Sequence, residues 1–469
     1  MMWRFDRYES NNAIIDEYGS MVTYGELIQA GNQLAAAVGR RSLIFCLCRN
    51  SIGSIVGYAS FIQHGSVPVL LNANMENTLL LELLQRYQPE FIWAPVGMAP
   101  SLDGMQEEII LYDYVLLRTP YKLEHTLYDE LCLLLTTSGS TGSPKFVRQS
   151  YENVQSNAKA IVEYLELSET ERPITTLPMN YTYGLSIINS HFMVGATLLV
   201  TEKGLMQKEF WSFFREYEAT SFGGVPYTYE MLDRLRFYRM ELPSLRYMTQ
   251  AGGKLIPKLH KKFAEYAETM HKKLVIMYGQ CEATARMGYL PADKALEKCG
   301  SMGIAIPGGR FRLIDVKGND VTIPQVTGEL VYEGPNVTLG YAECVDDLAK
   351  GDERNGILQT GDMARMDEDG YYYIVGRKKR FLKIYGNRVN LDEIDRLIKG
   401  HFGIECASAG VDDHMYLFVT DAAYADPVRA FIADMTKLNP AAFKTIVIGA
   451  IPKNDAGKTL YNELTKYYS

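Results

Sequence analysis

The sequence predicts an α/β fold: a large N-terminal region of mostly parallel sheets flanked by helices, followed by a small α+β C-terminal domain. Three observations carry that expectation. Apolar runs at residues 43–47, 67–71, 91–94 and 131–135 have the length and composition of buried strands. Stretches with helical spacing alternate with them, and from Gly300 the pattern changes to shorter strands and turns. The expected division lies at Gly376, giving 1–376 and 377–469, at the start of a run of five basic residues in seven positions.

The chain of 469 residues, 47% hydrophobic, is long enough for two or more domains with substantial cores. A net charge of −8 argues against a general nucleic-acid binder, which would carry a basic excess. Seven cysteines, an odd number in so long a chain, do not make a disulfide framework; Cys46 and Cys48 read as core filling in a reducing compartment. Met1–Asp6 opens no apolar stretch of signal-peptide length, and no run approaches a membrane span of ~20 residues, so the expectation is a soluble, cytoplasmic protein.

In chain order, Thr23 and Glu26 fit a capping box opening a helix with Leu27, Ala30, Leu34 and Val38 on one face. Residues 77–87 read as a second helix and 153–165 as another. Short strands are expected at 274–277, 311–315, 328–332 and 371–375. Asn390–Glu393 is expected to open a helix with a further capping box, ahead of strands at 415–420 and 445–448. Asp426-Pro427 marks a helix start between those last two strands.

The stretch that carries chemistry is Thr136-Thr137-Ser138-Gly139-Ser140-Thr141-Gly142-Ser143-Pro144-Lys145, directly after the run 131–135. Glycines let backbone N–H groups approach an anion, and hydroxyls and an ammonium add donors, so a polyphosphate suits it better than a plain surface turn does. The Walker spacing of kinases and GTPases is absent, because Lys145 follows Pro144 and precedes Phe146.

This loop resembles the phosphate loop of the adenylate-forming superfamily: acyl- and aryl-CoA synthetases, amino-acid adenylation domains and luciferases. The pattern is most similar to a stand-alone AMP-dependent acyl-CoA synthetase, and the landmarks run in family order from about Thr23 to Lys458. The resemblance implies that Thr137, Ser138, Gly139, Ser140, Thr141, Gly142 and Lys145 hold ATP phosphates. It implies that Gly252, Gly253 and Lys254 cover one face of adenine, and that Tyr278, Gly279, Gln280 and Cys281 line the other side of the nucleotide. Glu282 and Thr141 would bind Mg²⁺, Asp362 and Arg377 the ribose, and Lys458 the reacting oxygens.

Tyr181, Thr182, Tyr183 and Gly184 would form the acid pocket, although Tyr181 and Tyr183 suit plain core packing equally well. Thr182 stands near where amino-acid-activating members resemble one another in an Asp, and without that charge an ammonium would lack its partner. Cys281 replaces the family's usual Thr with a weaker donor. Gly328–Tyr332 with Gly340-Tyr341 matches a further signature, expected to be structural. Five basic residues between Arg377 and Lys383 coincide with the family's hinge, with the pivot at Lys379 and the thiol tunnel at Lys383 and Gly386.

The small domain is therefore expected to be mobile. The implied reaction is adenylation of a carboxylic acid by ATP with Mg²⁺, then transfer to CoA or to the phosphopantetheine of a separate carrier protein. An ADP-forming kinase or NTPase is the alternative class.

Overall fold

The structure is a computed structural model that describes residues 2–100, 102–122, 126–136, 145–385, 387–453 and 459–468, without the side chains of Lys379 and Arg388. Among the described residues two large sheets dominate. An eight-stranded sheet runs, from edge to edge, through Gly340–Ala342, Phe146–Ser150, Leu131–Thr136, Val67–Asn72, Leu43–Cys48, Phe91–Pro95, Tyr114–Arg118 and Gln106–Leu111. The strands from Leu131–Thr136 to Phe91–Pro95 pair in parallel, whereas the outer strands on both sides pair antiparallel. The nine-stranded sheet repeats the plan, parallel through its middle and antiparallel at its edges.

Why the central runs lack polar residues is now evident. All six residues of Leu43–Cys48 are buried, because the sheet is covered on both faces. Alternation sends Cys46 and Cys48 into the core on one face and Leu47 into the core on the other. The helix Tyr24–Val38 starts with the expected capping box, Thr23 accepting from the Glu26 N–H and Glu26 accepting from that of Thr23. Helix Asn77–Tyr87 has the predicted bounds, and helix Tyr151–Leu165 starts two residues early because Ser150 caps it with Asn153.

A four-stranded antiparallel sheet follows: Arg310–Ile314, Gly328–Glu333, Ile357–Met366 and Tyr372–Arg377. The C-terminal region holds the hairpin Phe381–Ile384 with Asn387–Asn390, and a sheet of Cys406–Val411, His414–Val419 and Phe443–Val447. Helices Leu391–Phe402 and Ala425–Thr436 pack against it around Ile394, Ile398, Val428 and Ile432. The capping box expected at Asn390 is corrected in part. Asn390 does cap, but its side chain accepts from the Asp392 N–H, one residue earlier than a box requires.

The basic run 377–383 is not an open patch. Arg377 faces Asp362 at 3.3 Å, Lys378 meets Glu329 at 2.6 Å, and Arg380 meets Asp392 at 2.8 Å and Asp395 at 2.9 Å. No helix among the described residues is long and apolar enough to cross a membrane. All seven cysteines are free thiols.

Candidate active site

Three parallel strands of the nine-stranded sheet, Ser221–Gly224, Tyr247–Gln250 and Lys273–Tyr278, lie in register with Gly224 beside Gln250 and Gln250 beside Ile276. The segments after their carboxyl ends therefore sit side by side, the place where open α/β sheets bind ligands. They wall a cavity of about 1190 Å³ together with the first turn of helix Thr182–Met193 and residues of the C-terminal region such as Lys453 and Tyr461. A second cavity of about 360 Å³ adjoins it, sharing Lys254, Tyr278 and Arg377 and adding Gly253 and Asp362.

The nucleotide residues expected from sequence come together here by two independent register effects. Tyr278 ends its strand and donates its hydroxyl to Asp362 Oδ2 at 2.5 Å. Gln280 Nε2 donates to the same oxygen at 3.0 Å and to the Thr360 carbonyl at 3.1 Å. Arg377 arrives from the other sheet, because antiparallel pairing sets Asp362 directly opposite Arg377. Asp362 is only 4% exposed, and burial raises its carboxyl despite the opposing pull of Arg377. Burial, with Asp362 adding to it, also keeps the Tyr278 phenol protonated and hence a donor.

Two glycines allow the backbone to pass closely. A Cβ on Gly279 would collide with the Ala285 carbonyl. Gly252 holds φ +81, and a Cβ there would lie 2.7 Å from the Tyr181 hydroxyl. Lys254 donates to the Ile374 carbonyl at 3.1 Å. Loss of water around its ammonium, together with Arg396 and Arg365, lowers it to about 8.

Glu282 is held at both ends. Its carbonyl accepts from the Thr338 N–H at 3.0 Å and from Arg354 Nη1 at 3.1 Å, while its Oε1 accepts from the Tyr341 hydroxyl at 2.7 Å. Among the described residues Oε2 accepts nothing. Lys145 stands with Nζ 3.8 Å from the Tyr341 ring centre, and Arg354 lies 4.7 Å from it. Gly340-Tyr341, expected to be structural only, thus links Lys145 to Glu282. The link exists because Gly340–Ala342 pairs with Phe146–Ser150, Tyr341 beside Val147. No sequence spacing announced it, and the same holds for Arg354.

Cys281 is buried, with Sγ 3.9 Å from the carbonyl of Thr136, just before the residues expected to hold phosphate. The strands on either side of those residues, Leu131–Thr136 and Phe146–Ser150, pair antiparallel. Thr137, Ser138, Gly139, Ser140, Thr141 and Gly142 lie outside the described residues, as do Gly386 and Lys458. Lys383 is exposed in its hairpin, its N–H donating to Asp412 at 2.7 Å; Lys379 sits in the short turn Lys378–Arg380.

At the acid end, Tyr181, Thr182 and Tyr183 line the large cavity. Tyr183 is hydrogen-bonded to Thr249 at 2.7 Å, and burial raises its phenol to about 12. Gly184 turns away from the cavity wall, where a Cβ would strike the Pro178 carbonyl. Arg286, unremarked in the sequence, lines the cavity beside Tyr183. A lone charge in the stretch Ala283–Met287 was the available signal.

Mg²⁺ fits this donor set on chemical grounds: it takes one or two carboxylates and completes its shell with water and phosphate oxygens. Glu282 Oε2 would be such a ligand, and no cluster of three or more His, Cys, Asp and Glu that could hold a metal occurs among the described residues.

A sequence profile described as AMP-binding enzyme matches residues 2–342. The oxalate–CoA ligase of Arabidopsis thaliana is 29% identical over 349 residues, 70% of this chain and 66% of that protein. The medium-chain fatty-acid–CoA ligase of Escherichia coli strain K12 is 24% identical over 95% of this chain and 86% of that protein. The o-succinylbenzoate CoA synthetase of Bacillus subtilis, solved with its acyl-adenylate intermediate, superposes with a TM-score of 0.78 at 22% identity, over 97% of this chain and 95% of that one. That likeness establishes a shared fold.

Proposed function

The chain belongs to the AMP-binding enzyme family, and from that premise we propose that it is an AMP-forming acid–thiol ligase. The observation that carries the reading is one cavity lined by Tyr278, Arg377, Glu282, Tyr181 and Tyr183, with Asp362 held against Tyr278 and Arg377 in the adjoining cavity.

In the first step an acid carboxylate oxygen attacks the α-phosphorus of ATP, the bond to the β-phosphate breaks, and pyrophosphate leaves. Two anions must be brought together in line, so alignment and charge neutralisation matter more than a protein nucleophile. Asp362 and Arg377 receive the ribose, and Tyr278 and the Gly252-Gly253 backbone flank adenine. Lys145 and residues 137–142 hold the β- and γ-phosphates. Glu282 and Thr141 would hold Mg²⁺, which would neutralise phosphate charge. Lys458 bridges the reacting oxygens, a role that its place after every other family landmark supports.

In the second step a thiol attacks the acyl carbonyl, the bond to AMP breaks, and the thiol proton leaves to solvent. CoA is the acceptor, as in the ligases named above, with a carrier's phosphopantetheine the other outcome of an acceptor assay. Between steps the region 377–469 rotates about Lys379, withdrawing Lys458 and bringing up Lys383 and Gly386. Free thiols throughout fit a reducing, cytoplasmic setting.

Exchange of labelled pyrophosphate into ATP across a panel of acids tests the first step. Lys458→Ala is expected to lower exchange by about 10²–10³-fold, the usual loss when a group that stabilises transition-state charge is removed. Release of ADP in place of AMP would overturn the reading.

A further inference from the structure

Arg286 is 3% exposed, and among the described residues no carboxylate meets it. Its Nε donates to Ser186 Oγ at 3.0 Å, and Nη1 donates to the Tyr164 hydroxyl at 2.9 Å and to Met277 Sδ at 3.2 Å. The guanidinium lies 5.3 Å from the Tyr183 ring centre. Nη2 donates to nothing among the described residues, although the side chain forms part of the wall of the large cavity.

The surroundings carry no compensating charge. Burial raises the phenols of Tyr164 and Tyr183, so both remain neutral. His191, close enough to feel the guanidinium, is lowered to about 3 by burial, with Arg286 acting in the same direction. A guanidinium keeps its proton in any folded protein, and burying one without an anion costs several kcal/mol that neutral hydrogen bonds recover only in part.

This chain treats its other arginines of low exposure differently. Arg148, fully buried, meets Glu353 at 2.5 Å and several carbonyls. Arg380, half-buried, lines the same large cavity as Arg286 but meets both Asp392 and Asp395. Among the described residues Arg286 alone of these three lacks a carboxylate.

We propose that Arg286 receives a second carboxylate of the acid substrate, so that this chain selects dicarboxylic acids. The inference rests on the ligase reading for which end of the acid reacts. One carboxylate stands near Glu282 for activation, and the other meets the free edge of the guanidinium four residues further along the same cavity wall. A planar guanidinium matches a carboxylate in both shape and charge. Tyr183 beside it attracts the guanidinium through its ring but supplies no negative charge. The positive charge opposes an ammonium, in line with Thr182, and a fatty tail laid against it would leave the charge buried and unpaired.

The test is binding to the full chain, by calorimetry, of succinate, glutarate and adipate against butyrate, pentanoate and hexanoate, with ATP and Mg²⁺ absent. Pyrophosphate exchange is run in parallel on the same acids. The expected result is at least one dicarboxylate bound roughly tenfold or more tightly than its length-matched monocarboxylate, the scale of a hydrogen bond between charged groups.

Arg286→Met is expected to abolish that preference, and Arg286→Lys to keep part of it while losing the two-pronged contact. Where Arg286→Met does not fold by circular dichroism, the wild-type ratio and Arg286→Lys decide. Equal binding within every pair, no dicarboxylate binding, or a preference that survives Arg286→Met overturns the proposal. A dicarboxylate preference in binding without AMP formation upholds Arg286 and sinks the ligase reading. AMP formation from monocarboxylates alone does the reverse.

Discussion

At the end of the site proposed for the nucleotide Asp362 meets Arg377, Tyr278 and Gln280, whereas at the end proposed for the acid Arg286 meets two hydroxyls, a thioether and an aromatic face. The first cluster is neutral before anything binds. A carboxylate has roughly four acceptor positions, so Asp362 can serve its protein partners and still accept from sugar hydroxyls. On the proposed reading the first cluster suits a ligand that never varies. The second carries a buried charge without a carboxylate among the described residues, and on the proposed reading that charge discriminates between guests. The reading thus sets preorganisation at one end and selection at the other, and both depend on which buried ion has its partner built in.

The largest separation between the two ends is expected from Asp362→Ala. It strands Arg377 and leaves Tyr278 and Gln280 without their shared acceptor. Loss of hydrogen bonds to a charged group costs about 1.5–3 kcal/mol each, so the KM for ATP should rise at least tenfold with the KM for the acid little changed. A matching rise for the acid would break the comparison, since the two ends would then act as one network.

A smaller effect is expected from Tyr341→Phe, which removes the hydroxyl on Glu282 and keeps the ring between Lys145 and Arg354. One hydrogen bond is worth about 0.5–1.5 kcal/mol. The Mg²⁺ concentration for half-maximal exchange should therefore rise several-fold, with dicarboxylate preference intact. An unchanged Mg²⁺ requirement would place Glu282 outside the metal's reach.

A third effect, on stability instead of catalysis, sharpens the contrast from the side of an arginine with two acids. Burial raises Asp395 to about 6, against the pull of Arg380 and Tyr461, where an unfolded Asp titrates near 3.9. A raised acid contributes stability that is present below about pH 3.9 and lost as pH climbs through about 6. Relative to Asp395→Asn, the wild type should lose stability between about pH 4 and 6 and run parallel to it above. Denaturant midpoints of both proteins across that range give the answer, and parallel curves throughout would remove the raised acid from the account.

Much of this was legible in the chain. The helix at 77–87 followed from apolar spacing, the capping box at Thr23 from two residues, and the Tyr278, Asp362 and Arg377 positions from motifs in order. Arg286, Tyr341 and Arg354 were not. Their contacts run from Arg286 to Ser186 and Tyr164, from Tyr341 to Lys145, and from Arg354 back to Glu282, and no local periodicity encodes such separations. The Asn390 cap was read one residue too far because a sequence shows which side chain can cap, not which N–H it reaches.

The sequence by itself determined the α/β class, because strands buried on both faces must be apolar and helices between them must be two-sided. It determined the order of the nucleotide motifs and the absence of a Walker loop for the same reason: backbone approach and donor type are local properties. Only the tertiary structure decided charge pairing. Whether a buried charge has its partner depends on which strands lie opposite one another, as Arg377 lies opposite the buried Asp362, and on which do not bring an acid to Arg286. Electrostatic energy in a dry interior depends on distance through space, and that distance is a property of the fold.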